Sequence, residues 1–385
     1  MPEGQMEAEL DQVLGEAVDR GGLIGAAVAV STPRGAYAGA AGQRSEGATM
    51  TPDTIVWIAS MTKAVTAVAA MQLVEQGFVE LDAPCGDLVP YLADVEVLDG
   101  FADGGEPLLR PPKRPVTLRH LLTHTAGFGY DFTDARIARY VAERGMPSTI
   151  DGSTASYEQP ILFDPGDRWV YGINIDWAGQ VIEAVTKTRL DEYLRSAIFD
   201  PLGLDDTGFR RDAERRDRTA DMYLRTPDGL VQIPFELNED PEFLMGGAGL
   251  YSTVVDYLRF LRMMLGGGEL EGTRVVTAET VRTMAANHVG DLIVRGWQTV
   301  NPVLSNDVDL GPGQQFGLSF LINSEPTPEG RAAGSLMWAG LANSYYWIDL
   351  TSKVAGVFTT QILPFFDGPA LDTWRAVERT VYASL

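Results

Sequence analysis

Strand-forming runs crowd the two ends of this chain. Near the N-terminus, "LIGAAVAVSTPRGAYAGAAGQRS" holds two apolar runs around the turn Thr32–Gly35, a hairpin signal. Near the C-terminus, "SLMWAG", "NSYYWIDL" and "VAGVFTTQIL" are three more short runs, rich in β-branched and aromatic residues. Helical patterns bracket both groups. The first has Met6, Leu10, Val13, Leu14 and Val18 on one face, and the last is "PALDTWRAVERTVYASL". Strands at opposite ends can pair only if the ends meet. The pattern therefore predicts one mixed sheet built from both termini, with a largely helical region inserted between them.

That middle region has its own punctuation. Glu106–Thr117, "EPLLRPPKRPVT", is proline-rich and predicts an extended surface loop. Thr117 is placed to cap a short helix running to Ala126-Gly127. "DWAGQVIEAVTKTRLDEYLRSAIFDPLGL" predicts two helices stopped by Pro201 and Gly203, and Thr253 with Asp256 opens another. At 385 residues the chain suits one large unit or two closely packed domains.

Charge and cysteine content narrow the function classes. There are 53 acidic against 30 basic side chains, a net charge of −23, which repels phosphate backbones and argues against a nucleic-acid partner. The single cysteine, Cys85, allows neither an intrachain disulfide nor a cysteine metal site. No apolar run is long enough to cross a membrane, and the acidic N-terminus does not read as a signal peptide, so a cytoplasmic location is expected. His120 and His124 are four residues apart in "HLLTH", but Leu121 stands where a zinc protease needs Glu, and no metal is expected.

One helix stands out chemically. "WIASMTKAVTAVAAMQLVEQG" is apolar almost throughout, yet it carries Ser60 and Lys63 one helical turn apart, in a chain with only four lysines. A buried lysine that gives up its proton can take the serine proton and create a nucleophile without histidine. The alternative is a serine cap beside a snorkelling lysine. Two distant elements offer complementary groups. Tyr171, in "WVYGINIDWAG", could assist proton transfer or be a satisfied core phenol. Gly340, in "MWAGLANSYYWID", would let a backbone or ligand approach closely, or simply serve packing. No G-x-S-x-G elbow and no phosphate-binding loop are present.

The order of "SMTK", "VTLRHLLTHTAGF", "YGINIDWAG", "MGGAGLYSTVVDYLRFLRMML" and "WAGLANSYYWID" resembles the serine β-lactamase and penicillin-binding-protein superfamily, over nearly the whole chain. Within it the chain is most similar to the class C β-lactamase-like family VIII carboxylesterases, relatives of a statin acyltransferase. The resemblance implies a five-stranded antiparallel sheet flanked by helices (residues 1–64 and 240–385), a mainly helical domain (65–239), and a cleft between them. It implies Ser60 as acylated nucleophile, Lys63 as its base, Tyr171 as second base and proton donor, and an oxyanion hole from the amides of Ser60 and Leu341. Substrate contacts would come from Trp338, Gly340, Phe128, Tyr130, Ile173 and Tyr346. No cofactor is implied, the partner is a small-molecule ester, and the oligomeric state is open, a homodimer being one option.

Two departures from the β-lactamase pattern matter. Trp338-Ala339-Gly340 stands where those enzymes carry Lys-Thr-Gly, and Ile173 stands where they carry Asn, with Asn174 one position later. An indole in place of an ammonium removes a partner for a substrate carboxylate. The expected activity is therefore hydrolysis of short-chain or aryl esters through an acyl-enzyme, with β-lactam hydrolysis at most a side activity. The rivals are an acyltransferase on the same scaffold, a β-lactamase or D-amino-acid amidase or peptidase, and a non-catalytic binding protein.

Overall fold

The two ends of the chain meet in one antiparallel sheet. In the computed structural model, which describes residues 4–385, the sheet takes β1 (Gly25–Thr32), β2 (Gly35–Ser45) and β3 (Ala48–Thr49) from the N-terminal end. From the C-terminal end it takes β4 (Gln314–Phe316), β5 (Leu321–Asn323), β6 (Leu336–Gly340), β7 (Ser344–Asp349) and β8 (Val354–Thr359). The strand order is β4-β5-β6-β7-β8-β1-β2-β3, and the seam between the two ends is β1 against β8, with Val28 opposite Phe358. The sheet thus has eight strands, not five. The five long ones are those legible in the sequence; β3, β4 and β5 are two- or three-residue pieces, too short to show a period. Residues 1–3, which begin the amphipathic N-terminal stretch, lie outside the described residues.

Alternation along the strands sorts side chains between two layers. Ala26, Val28 and Val30 of β1, with Tyr345 and Trp347 of β7, face helices α1 (Gln5–Asp19) and α5 (Gly368–Ala383). Leu10, Leu14, Trp374 and Val377 of those helices close that layer. Ala27 and Ala29, with Tyr346 and Ile348, point the other way, into a larger core shared with α2 (Thr62–Glu75), α3 (Asn174–Thr186) and α4 (Val254–Leu265). Helix α2 is buried on every side from Thr62 to Leu73, in keeping with a sequence that is apolar on all faces apart from Thr62, Lys63, Thr66 and Gln72.

Several local expectations hold and others shift. Thr253 caps α4, its hydroxyl accepting from the Asp256 amide at 3.1 Å, and Gly203 ends its helix in the left-handed region at φ 61°. Thr117 caps a helix that stops at Leu122, short of Ala126-Gly127, where the Thr123 hydroxyl bonds back to the Arg119 carbonyl at 2.7 Å. Part of the proline-rich stretch is not a free loop: Pro107–Arg110 pairs with Val97–Phe101, and Pro107 takes the first strand position, where its missing N–H is tolerated. In the middle region, Met222–Thr226 and Gly229–Ile233 form a hairpin, and Ile362–Leu363 adds in parallel, tying that region to the C-terminal end.

The end of β6 lies directly against the turn before α2. A Cβ at Gly340 would collide with the carbonyl oxygen of Ile58. Backbone cannot yield there as a flexible side chain could, so the strand can sit this close only as glycine. Gly340→Ala is expected to destabilise the protein by about 1–3 kcal/mol through this overlap, read as a lower urea midpoint at unchanged slope.

Candidate active site

The turn before α2 has an unusual backbone. Ala59 sits at φ 45°, a region non-glycine residues rarely adopt, and Ala59–Met61 form one 3-10 turn that leads into the helix. Ser60 does not cap α2. The helix N-cap is Met61, without a side-chain cap, and the Ser60 hydroxyl turns toward the body of the protein. There it meets Lys63 Nζ at 3.0 Å and accepts from the Tyr171 hydroxyl at 2.6 Å. All three are buried, Lys63 to 1% exposure.

A cation this deep needs partners on every proton. Besides Ser60 Oγ, Lys63 Nζ reaches the Tyr130 hydroxyl at 3.1 Å and the Gly247 carbonyl at 2.8 Å. The same three contacts serve both protonation states. An ammonium donates to all three. A neutral amine donates to the Gly247 carbonyl and Tyr130 and offers its lone pair to the Ser60 proton. Burial, then the charge of Asp176, holds the Tyr130 phenol well above its ordinary range, so Tyr130 stays protonated. His124, buried with its ring 4.9 Å from that of Tyr171, is held well below the usual histidine range by burial and by the Lys63 charge. It is therefore neutral, and its Nδ1 lies 3.0 Å from the Asn174 amide nitrogen.

Among the described residues, neither the Ser60 amide nor the Leu341 amide donates to another group of the chain, and both residues line the same cavity. The close approach of Gly340 to Ile58 brings the two backbones together. The cavity has a volume of about 140 Å³, opens to solvent, and is walled mainly by aromatic and aliphatic side chains, among them Trp57, Trp297, Trp338 and Phe365. Asp131 brings a carboxylate to it, and no Lys or Arg of the described residues lines it. The Trp338 indole N–H points at the Tyr171 hydroxyl from 3.5 Å. No group of three His, Cys, Asp or Glu side chains able to hold a metal occurs among the described residues.

Of the six substrate contacts expected, Trp338, Gly340 and Tyr130 line the cavity; Phe128, Ile173 and Tyr346 do not. Phe128 is fully buried, its carbonyl takes the Asn174 amide at 3.1 Å, and its ring lies against Trp177. Ile173 is fully buried at the start of α3. Tyr346 lies opposite Trp338 in the sheet, but one strand further in, where it packs on Tyr257 of α4. Tyr130 does more than line the wall, because its hydroxyl holds Lys63. Two participants were not singled out in the sequence: the Gly247 carbonyl and Asp176, which bonds the Gly247 amide at 2.9 Å. A signal for Asp176 existed, since it is an acid within the apolar run "INIDWAG", the same kind of anomaly that marked Lys63.

Comparison with known proteins places the whole chain in a family. The chain is 31% identical over 380 residues to the lovastatin esterase of Penicillium rubens, covering 93% of this chain and 94% of that protein. It is 32% identical over 352 residues to the monacolin J acid methylbutanoyltransferase of Aspergillus terreus, covering 86% and 82% of the two chains. Among solved structures it is similar to the LovD6 mutant of simvastatin synthase from Aspergillus terreus, with a TM-score of 0.85, 27% identity, and coverage of 100% of this chain and 98% of that one. The Beta-lactamase family profile matches residues 10–379, so the chain, an enzyme of the serine-hydrolase type, belongs to the Beta-lactamase family.

Proposed function

We propose that the protein is a serine carboxylesterase of the family VIII type, hydrolysing neutral short-chain or aryl esters through an acyl-enzyme. The observation that carries this reading is the contact of the Ser60 hydroxyl with both Lys63 Nζ and Tyr171 OH, beside unpaired amides at an aromatic cavity. Ser60 Oγ attacks the ester carbonyl while its proton passes to the Lys63–Tyr171 pair. The amides of Ser60 and Leu341 hold the oxyanion. The alcohol leaves with a proton from Tyr171, and water repeats the sequence to free the acid. No step calls on a cofactor. The cavity's lack of a cation, and Trp338 in place of a lysine, support neutral substrates over anionic β-lactams or peptides.

A second reading has its own support. Among the relatives are both an esterase and an acyltransferase, and the cavity opens to solvent on the side from which either water or an alcohol would arrive. On the same acyl-enzyme, an alcohol then takes the place of water. The ester substrate is the partner this reading needs. The single buried Cys85, with no disulfide possible, supports a cytoplasmic setting.

Two experiments test these roles. Lys63→Met and Tyr171→Phe, folded as judged by circular dichroism, should each lower kcat/KM for a short aryl ester by about 10²–10⁴-fold. A loss of less than threefold in either removes that residue from the mechanism. A substrate panel read with and without added alcohol assigns the chemistry. The expectation is faster turnover of the aryl ester than of a chromogenic cephalosporin, with free acid as main product. A faster cephalosporin contradicts the esterase reading, and an ester product dominating at low alcohol assigns acyl transfer.

A further inference from the structure

A second charged group lies buried behind Lys63. Asp176, in the first turn of α3, is 2% exposed. Its Oδ1 accepts the Gly247 amide at 2.9 Å, and the Gly247 carbonyl accepts from Lys63 Nζ at 2.8 Å. Residue 247 must be glycine for this, because a Cβ there would collide with the Asp176 carboxylate. The Thr66 hydroxyl, from α2, pins the preceding carbonyl of Gly246 at 2.6 Å. The Gly246-Gly247 turn is thus clamped between α2 and α3, with one carbonyl held onto the lysine.

We propose that Asp176 is a positioning residue for Lys63. Through Gly247 it fixes where Nζ sits against the Ser60 hydroxyl, and through its charge it sets the pH range in which Lys63 exchanges a proton. This rests on the reading of Ser60 and Lys63 given above. The titratable groups around Asp176 are Lys63 on α2, Tyr130 and Tyr157; those around Lys63 also include Tyr171 and His124. Burial keeps Tyr130 and Tyr157 as phenols and His124 neutral, and Asp131, whose charge also reaches Tyr130, is exposed at the cavity, which leaves Asp176 as the buried anion that balances the lysine. Burial also pushes the Asp176 carboxyl up to about 6, against the opposing pull of Lys63. It is a carboxylate above that pH and a neutral acid below it.

The test is the pH profile of kcat/KM for a short aryl ester in the wild type and in Asp176→Asn. The variant is isosteric and keeps an acceptor for the Gly247 amide. Loss of a neighbouring negative charge favours deprotonation of a cation, so the limb that reports Lys63 should move about one pH unit lower, whichever limb it is. The two profiles should converge below about pH 6, where the wild-type carboxyl is itself protonated. Asp176→Ser, smaller and still an acceptor, reads the same limb should the Asn variant not fold. A uniform loss of rate with both limbs unmoved, to within about 0.2 unit, overturns the proposal and leaves Asp176 a packing residue. Labelling of wild-type Ser60 by a fluorophosphonate separates the two levels. If Ser60 is unlabelled, the esterase reading falls and this inference falls with it; if Ser60 is labelled and the limbs are unmoved, only the role of Asp176 falls.

Discussion

The site is organised by the need to satisfy one amino group at 1% exposure in the core. An unpaired ammonium there would carry a desolvation penalty of several kcal/mol, large against the total stability of a folded domain. The chain answers with three acceptors from three separate segments: Ser60 from the turn before α2, Tyr130 from the loop after the Leu118–Leu122 helix, and the Gly247 carbonyl from the turn before α4. Two of those segments are held in turn, the Gly246-Gly247 turn by Thr66 and Asp176, and the Ser60 turn by the adjacent Gly340 strand end. Satisfying Lys63 and poising Ser60 are therefore one structural problem.

The sheet supplies the rigidity this needs. Its seam between β1 and β8 joins the two ends of the chain, so β6 arrives at the Ser60 turn from nearly 300 residues further along in a fixed register. The positive φ of Ala59 is a strained conformation that persists only where the surroundings over-determine it, and here α2, β6 and the Leu250 carbonyl that accepts from the Ile58 amide all bear on it. A relative sharing 27% of the sequence keeps the fold over the full chain, which fits a scaffold set by pattern and register more than by particular surface residues.

How much of this was legible in the sequence depends on the kind of signal. Short apolar runs rich in β-branched and aromatic residues, clustered at the two ends, announced the sheet and its long strands; strands of two or three residues leave no such trace. The anomaly of Ser60 and Lys63 in an apolar helix was visible but ambiguous between cap and reactive pair, and only three-dimensional placement shows the hydroxyl facing Tyr171 and not the helix amides. Family resemblance pointed to Tyr171 and Leu341. Phe128, Ile173 and Tyr346, chosen for their nearness to the motifs, do not line the cavity, because nearness in sequence does not say which face of a loop or strand meets it. Trp297, Phe365 and Trp374, from loops and a helix with no motif of their own, line it instead. Asp176 carried a readable signal, an acid among apolar helix positions, whose meaning depended on the glycine turn it touches.

On the proposed mechanism Ser60 carries the acyl group. The most direct measurement is acid-quenched mass spectrometry of the enzyme during turnover of an ester with a slowly released acyl group, followed by peptide mapping. The expected result is a mass increase equal to the acyl group, confined to the peptide containing Ser60 and absent in Ser60→Ala. An increase on another residue, or steady turnover by Ser60→Ala, would contradict it.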